Sequence, residues 1–68
     1  MTPQEALRKA VTDVGGYTAL GRKLGISGEA IMQWDQVPPL RVLDVERVTG
    51  VSKEFLRPDL YRPLIHTG

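Results

Sequence analysis

Apolar residues in this chain recur at steps of three and four, never in strict alternation, and glycine and proline cut the pattern into short stretches. The first stripe is Ala6, Leu7, Ala10, Val11 and Val14, with Arg8, Lys9 and Asp13 on the outer side. Thr2-Pro3-Gln4-Glu5 ahead of it has the form of a capping box with proline at the first helical position, so Thr2 and Glu5 can each satisfy an otherwise unpaired backbone amide. Gly15-Gly16 ends this helix. A second stripe, Tyr17, Leu20, Gly21 and Leu24, is stopped by Gly25, a residue suited to a left-handed cap. Ser27 is a good cap for a third helix, expected from Gly28 to Trp34 with Ala30, Ile31 and Trp34 turned inward. Pro38-Pro39 breaks the pattern and starts a fourth helix, closed by Gly50 near Val48 or Thr49. Its apolar residues lie on two flanks, Val42, Val45 and Val48 on one and Leu40 with Leu43 on the other, which leaves one flank for a partner. Ser52 is expected to cap one further turn, Lys53 to Leu56, before Pro58 forces Arg57 toward extended geometry. From about residue 58 to 68 the chain reads as an irregular tail. The fold class is all-α, with four to five helices in a single domain spanning 1–68 and a helix-turn-helix over about 17–34.

The chain has 68 residues, enough for one small core whose margin of stability is thin unless oligomerisation or tight helix packing adds to it. It has no cysteine, so neither disulfides nor thiolate ligands contribute, and cysteine usage does not report a compartment. No apolar run approaches the roughly 20 residues a membrane span needs. The opening MTPQEALRK lacks the basic start and apolar stretch of a secretory signal, so the expected location is cytosolic, in a bacterial or phage-infected cell and at the nucleoid if DNA is the partner. The formal net charge is only +1, without a basic arm in either half, so any attraction for phosphate has to come from local clusters. Catalysis is not expected: there are no paired carboxylates, no nucleophile beside a base, and GISG is too short to cradle a phosphate. His66 is the only histidine, and no zinc ligand set can be assembled around it. No metal or cofactor is expected.

The stretch Tyr17 to Trp34, YTALGRKLGISGEAIMQW, places two short helices either side of a turn containing Gly25 and then Ile26. That is helix-turn-helix spacing. Gly21 lets the helices cross closely, Gly25 permits the sharp turn, and Leu20, Leu24, Ile26, Ile31 and Trp34 anchor the pair. The outward side of the third helix then carries Ser27, Gly28, Glu29, Met32 and Gln33, the face that such a motif lays in the major groove of double-stranded DNA. Gln33 can pair with adenine, Met32 can touch a thymine methyl, Glu29 can accept from cytosine, and Ser27 can serve a base or a phosphate. Thr18, Arg22 and Lys23 are the expected phosphate contacts. Against each stands a plainer role. Glu29 suits a helix start, Met32 can fill a gap, and Arg22 and Lys23 can be solvated surface, as Arg41 and Arg47 are expected to be. Arg57 and Asp59 can form a local ion pair that pins the tail, with Leu60 and Tyr61 docking it on the helices.

These motifs resemble the Cro-like repressors of phage and the YdaS-type regulators of bacterial prophages over nearly the whole chain. Gly15-Gly16, Leu20, Leu24-Gly25-Ile26-Ser27, Ile31, Trp34, Val37-Pro38, Glu46, Thr49-Gly50 and Leu56-Arg57-Pro58-Asp59-Leu60-Tyr61 all match as they stand. The resemblance implies a compact DNA-binding domain, frequently a homodimer on an operator of two-fold symmetry. Two positions depart from many helix-turn-helix proteins, Gly21 where alanine is common and Thr18 where a glutamine stands near the start of the second helix. The reading face also holds no arginine or lysine. A second reading therefore stands beside the repressor: a protein-binding module or antitoxin-like partner that keeps the fold without strong DNA binding.

Overall fold

A computed structural model describes residues 1–62 and contains, among them, five α-helices: α1 (Pro3–Asp13), α2 (Tyr17–Leu24), α3 (Gly28–Met32), α4 (Val42–Thr49) and α5 (Lys53–Leu56). A single 3-10 turn, Pro39–Arg41, leads into α4. The expected capping box at the start of α1 is present. The Thr2 hydroxyl oxygen accepts from the Glu5 amide at 3.1 Å, and the Thr2 amide donates to Glu5 Oε1 at 2.8 Å. Proline at the first helical position costs nothing there, because its missing N–H would have had no partner.

The core takes most of each predicted stripe, but Tyr17 of α2, expected on the inward side, is 37% exposed at the first turn of its helix. Ala6, Leu7, Ala10 and Val11 come from α1, Leu20 from α2, Ile31 from α3, Val42 and Val45 from α4 and Leu56 from α5, with Val37 and Val51 supplied by the connections. Val14, Leu24, Ile26, Trp34, Val48 and Tyr61 pack around them. Full burial of a leucine or isoleucine contributes about 1.5–3 kcal/mol, so five such short helices hold together through this shared interior rather than through their own propensity. The two expected flanks divide: Val42 and Val45 of α4 are buried and Val48 packs on the core, while Leu43 of α4 and Leu40, which lies in the preceding 3-10 turn and not in a helix begun at the prolines, face outward.

Several expectations need correction. α3 ends at Met32, not Trp34: the Gln33 and Trp34 amides bond three residues back, to Ala30 and Ile31, and the tightened turn stops there because the chain must bend toward Pro38. Ala30 is exposed, so Ile31 is the residue of α3 that reaches the interior, with Trp34 half-buried beyond the helix end. Ser52 does not cap α5 with its side chain, since its hydroxyl is engaged by the Glu54 carboxylate. Glu46 takes that place and accepts from the Lys53 amide at 2.8 Å. Thr49 closes α4 in a similar way, donating to the Val45 carbonyl at 2.6 Å and accepting from the Val51 amide at 3.1 Å. Tyr61 docks on the core as expected, whereas Leu60 is exposed. His66 lies outside the described residues.

Three carboxylates have pKa values below their usual range. For Glu5 the first cause is the bond from the Thr2 amide, for Glu54 the Ser52 hydroxyl, and for Asp59 the Arg57 guanidinium. A carboxylate whose folded pKa is depressed contributes stability that is present above its unfolded pKa, about 4, and lost as pH falls through the folded value. Thermal midpoints are therefore expected to stay level from about pH 7 to 5 and to drop below about pH 4. Asp59→Asn should show a smaller acid-induced drop than the parent chain, and identical drops would mean that the Arg57–Asp59 pair has no part in the effect.

Candidate nucleic-acid interface

The crossing of α2 and α3 is tight enough to dictate glycine at two positions. A Cβ added to Gly21 would lie 2.5 Å from the Ile26 carbonyl oxygen, and one added to Gly28 would lie 3.0 Å from the backbone of Tyr17 and Thr18. Between the helices the chain reverses through Gly25, whose φ of +76° favours glycine, and both the Gly25 and Ile26 amides donate to the Gly21 carbonyl. Leu20 and Ile31 lock the pair from beneath, with Leu24, Ile26 and Trp34 half-buried at its margins. The motif is thus held through backbone contact, and α3 projects from a rigid base.

On the outward side of α3, Ser27, Glu29, Met32 and Gln33 are all exposed. Met32, at 60% exposed, is too open to be filler against a neighbouring element. The Ser27 oxygen accepts from the Ala30 amide at 3.1 Å, which fixes the side chain at the helix start and leaves its hydroxyl proton free to donate outward. Gly28 stands apart from these four: it is half-buried, has no side chain and serves the crossing with α2. Thr18 is exposed at the start of α2, a helix that begins at Gly16 without a side-chain cap, and Arg22 and Lys23 are exposed in its last turn.

Among the described residues the ion pairs engage four of the nine lysines and arginines. Lys9 pairs with Asp13, Arg47 with Asp44, Lys53 with Glu46 and Glu54, and Arg57 with Asp59. Among the described residues Arg8, Arg22, Lys23, Arg41 and Arg62 have no acidic partner within bonding distance, so the positive charge left for an outside anion includes two residues of the helix-turn-helix and one just beyond it, beside one on α1 and one in the tail. Arg41 is a residue that the sequence ranked with ordinary surface, together with Arg47. The structure separates them, because Arg47 is tied to Asp44 at 3.4 Å while Arg41 lines an apolar groove of about 540 Å³ with Ile26, Ala30, Trp34, Pro38, Pro39 and Leu40. The groove runs beside α3 on its Ala30 and Trp34 side. No periodicity signal could have placed it, because it joins α3 to the 3-10 turn across the connection.

Among the described residues there is no cluster of three metal-ligating side chains, and no helix is long and apolar enough to cross a membrane. Residues 7–65 match the profile of the family described as bacterial toxin YdaS. No curated protein shows significant similarity to the chain. Among solved structures the chain is similar to the Cro protein from the putative prophage element Xfaso 1 in Xylella fastidiosa strain Ann-1. The two are 36% identical, the alignment covers 85% of this chain and 97% of that one, and the TM-score is 0.80. With a profile match over most of its length and a structural neighbour whose chain it spans almost completely, the chain belongs to the Cro-like, YdaS-type family of helix-turn-helix phage regulators, DNA-binding proteins rather than enzymes.

Proposed function

We propose that the chain is a sequence-specific repressor that binds an operator of two-fold symmetry and blocks access to an overlapping promoter. The observation that carries this reading is the joint placement of two features: an exposed polar face on α3, formed by Ser27, Glu29, Met32 and Gln33, and the unpaired cations Arg22 and Lys23 on the helix that braces it. Gln33 reads adenine, Met32 meets a thymine methyl, Glu29 accepts from cytosine, and Ser27 donates to a base or a phosphate. Thr18, Arg22 and Lys23 hold phosphates and set the register. With one polar amide, one hydroxyl and one carboxylate to read with, base recognition is sparse, and DNA shape carries part of the specificity. A homodimer through the exposed Leu40 and Leu43 flank matches the two-fold operator, and sedimentation of the free protein tests it. The protein acts in the cytoplasm, at the nucleoid.

Site selection from random and genomic DNA at low and physiological salt tests the reading, with enrichment of a short symmetric site as the expected result. Gln33→Ala is expected to lose about 1–3 kcal/mol at one base position, while Lys23→Ala weakens all sequences alike and lowers the salt slope by about one. Equal losses on selected and random DNA for Gln33→Ala would remove Gln33 from the reading face.

One observation favours a second reading. The apolar groove beside α3, with Leu40 at its edge 93% exposed, offers a small apolar contact that DNA reading does not need. Folded protein that enriches no site at either salt would move the assignment to a protein-binding module.

A further inference from the structure

Arg57 is the buried charged residue among the described residues, at 9% exposed, and DNA reading by α3 makes no direct use of it. Each of its three guanidinium nitrogens donates one hydrogen bond. Nε and Nη2 donate to the two carboxylate oxygens of Asp59 at 2.9 and 2.7 Å, and Nη1 donates to the Val37 carbonyl at 3.0 Å. The last bond joins the tail to a segment 20 residues earlier in the chain, the one that leaves the helix-turn-helix.

Besides the packing of fully buried Val37, that segment has few other polar ties. Beyond the Trp34 amide, which bonds to Ile31, no backbone hydrogen bond among the described residues engages residues 35–37, and regular bonding resumes where the Arg41 amide reaches the Pro38 carbonyl. The other polar tie is exposed, from Gln4 Nε2 to Asp35 Oδ2 at 3.3 Å. α3 itself has five residues, too few to keep its own axis without support at both ends. Its first end has the backbone crossing at Gly21 and Gly28. Its second end leads within a few residues to Val37, which is fully buried and whose carbonyl takes its bond from Arg57.

We propose that Arg57 is a positioning residue for base recognition: through the Val37 carbonyl it fixes the exit of α3, and with it the angle at which Met32 and Gln33 meet the major groove. Asp59 holds the plane of the guanidinium so that the third donor points at Val37, a task that needs a rigid fork and that lysine, a flexible point charge, does not perform. The effect is confined to the second end of α3, because Ser27 and Glu29 sit at the end clamped by the glycines. The proposal rests on α3 being the reading helix.

The test uses the full chain, the site it selects, and single base-pair changes in that site. Arg57→Lys and Asp59→Asn are first shown to be folded well above the assay temperature. Arg57→Lys is expected to bind the selected site about three- to tenfold more weakly, the range set by one buried hydrogen bond, with affinity for random DNA and the salt slope unchanged. The lost discrimination should fall on the base pairs that Gln33→Ala also affects and spare those read from the Glu29 end. Asp59 is exposed, so Asp59→Asn tests the same orientation if Arg57→Lys does not fold, with a smaller loss of the same pattern and faster amide exchange at Gln33 and Trp34. A folded variant with undiminished discrimination, or one equally weakened on selected and random DNA, overturns the proposal. Failure of the parent protein to select any site also overturns it, and is told apart because it appears before any variant is made.

Discussion

Gly21→Val is expected to leave the chain unfolded at room temperature, and Gly21→Ala to lower its stability by up to about 2 kcal/mol despite the better helix propensity of alanine. The reason is the atom the new carbon meets. A Cβ at position 21 would stand 2.5 Å from the Ile26 carbonyl oxygen, 3.0 Å from the Gly28 nitrogen and 3.1 Å from the Ser27 carbonyl carbon. All three belong to the backbone of the turn and of α3, so no rotamer change relieves the contact, and α2 and α3 have to separate. Overpacking of this kind costs about 1–3 kcal/mol, while replacing glycine by alanine within a helix returns about 1 kcal/mol. The balance is negative for alanine, and valine adds two further carbons in the same place. Denaturant unfolding followed by circular dichroism measures both. A Gly21→Ala chain as stable as the parent would mean that the two helices open without cost.

The fold was legible where a helix carries its own start or stop signal. Thr2 with Glu5, Gly25 and Gly50 mark helix ends by local chemistry that does not depend on the rest of the molecule. The errors fall where a distant residue decides. Ser52 has the composition of a cap, but Glu46, six residues earlier and on another helix, supplies the acceptor for α5. Ala30 sits on the same helical stripe as Ile31 and Trp34, yet α3 ends before a full stripe is needed, and the alanine is left on the wall of the groove. Arg57 reads as half of a surface ion pair, of the kind that contributes little. Its third bond, to Val37, cannot be anticipated from spacing because it depends on where the tail returns. The candidate interface was legible to the same degree. Exposure of Ser27, Glu29, Met32 and Gln33 follows from the helical period, the true place of Gly28 from backbone proximity alone, and the free state of Arg41 from the absence of a neighbouring acid in three dimensions.

Ile31→Ala is expected to cost about 2–5 kcal/mol, and Met32→Ala, one residue further on, less than about 0.5 kcal/mol. Ile31 is fully buried and is the only residue of α3 in the core, so truncating it removes transfer energy and leaves a cavity that five helical residues anchored by two glycine contacts can hardly collapse. Folded domains are stable by about 5–15 kcal/mol, with chains of this length at the lower end. A loss of several kcal/mol therefore shows as a large fall in thermal midpoint. Met32 touches solvent, so its removal leaves folding almost untouched and shows only in DNA affinity, at a thymine position of the selected site. Melting curves and DNA titrations on both variants, with the DNA titration corrected for the folded fraction, separate the two faces of α3. Ile31→Ala should bind nearly as well per folded molecule as the parent chain, and Met32→Ala should bind less well while melting at the same temperature. The reverse pattern, a destabilised Met32→Ala with unaltered DNA binding, would show that α3 is turned about its axis relative to the orientation described above, and Met32 would leave the reading face.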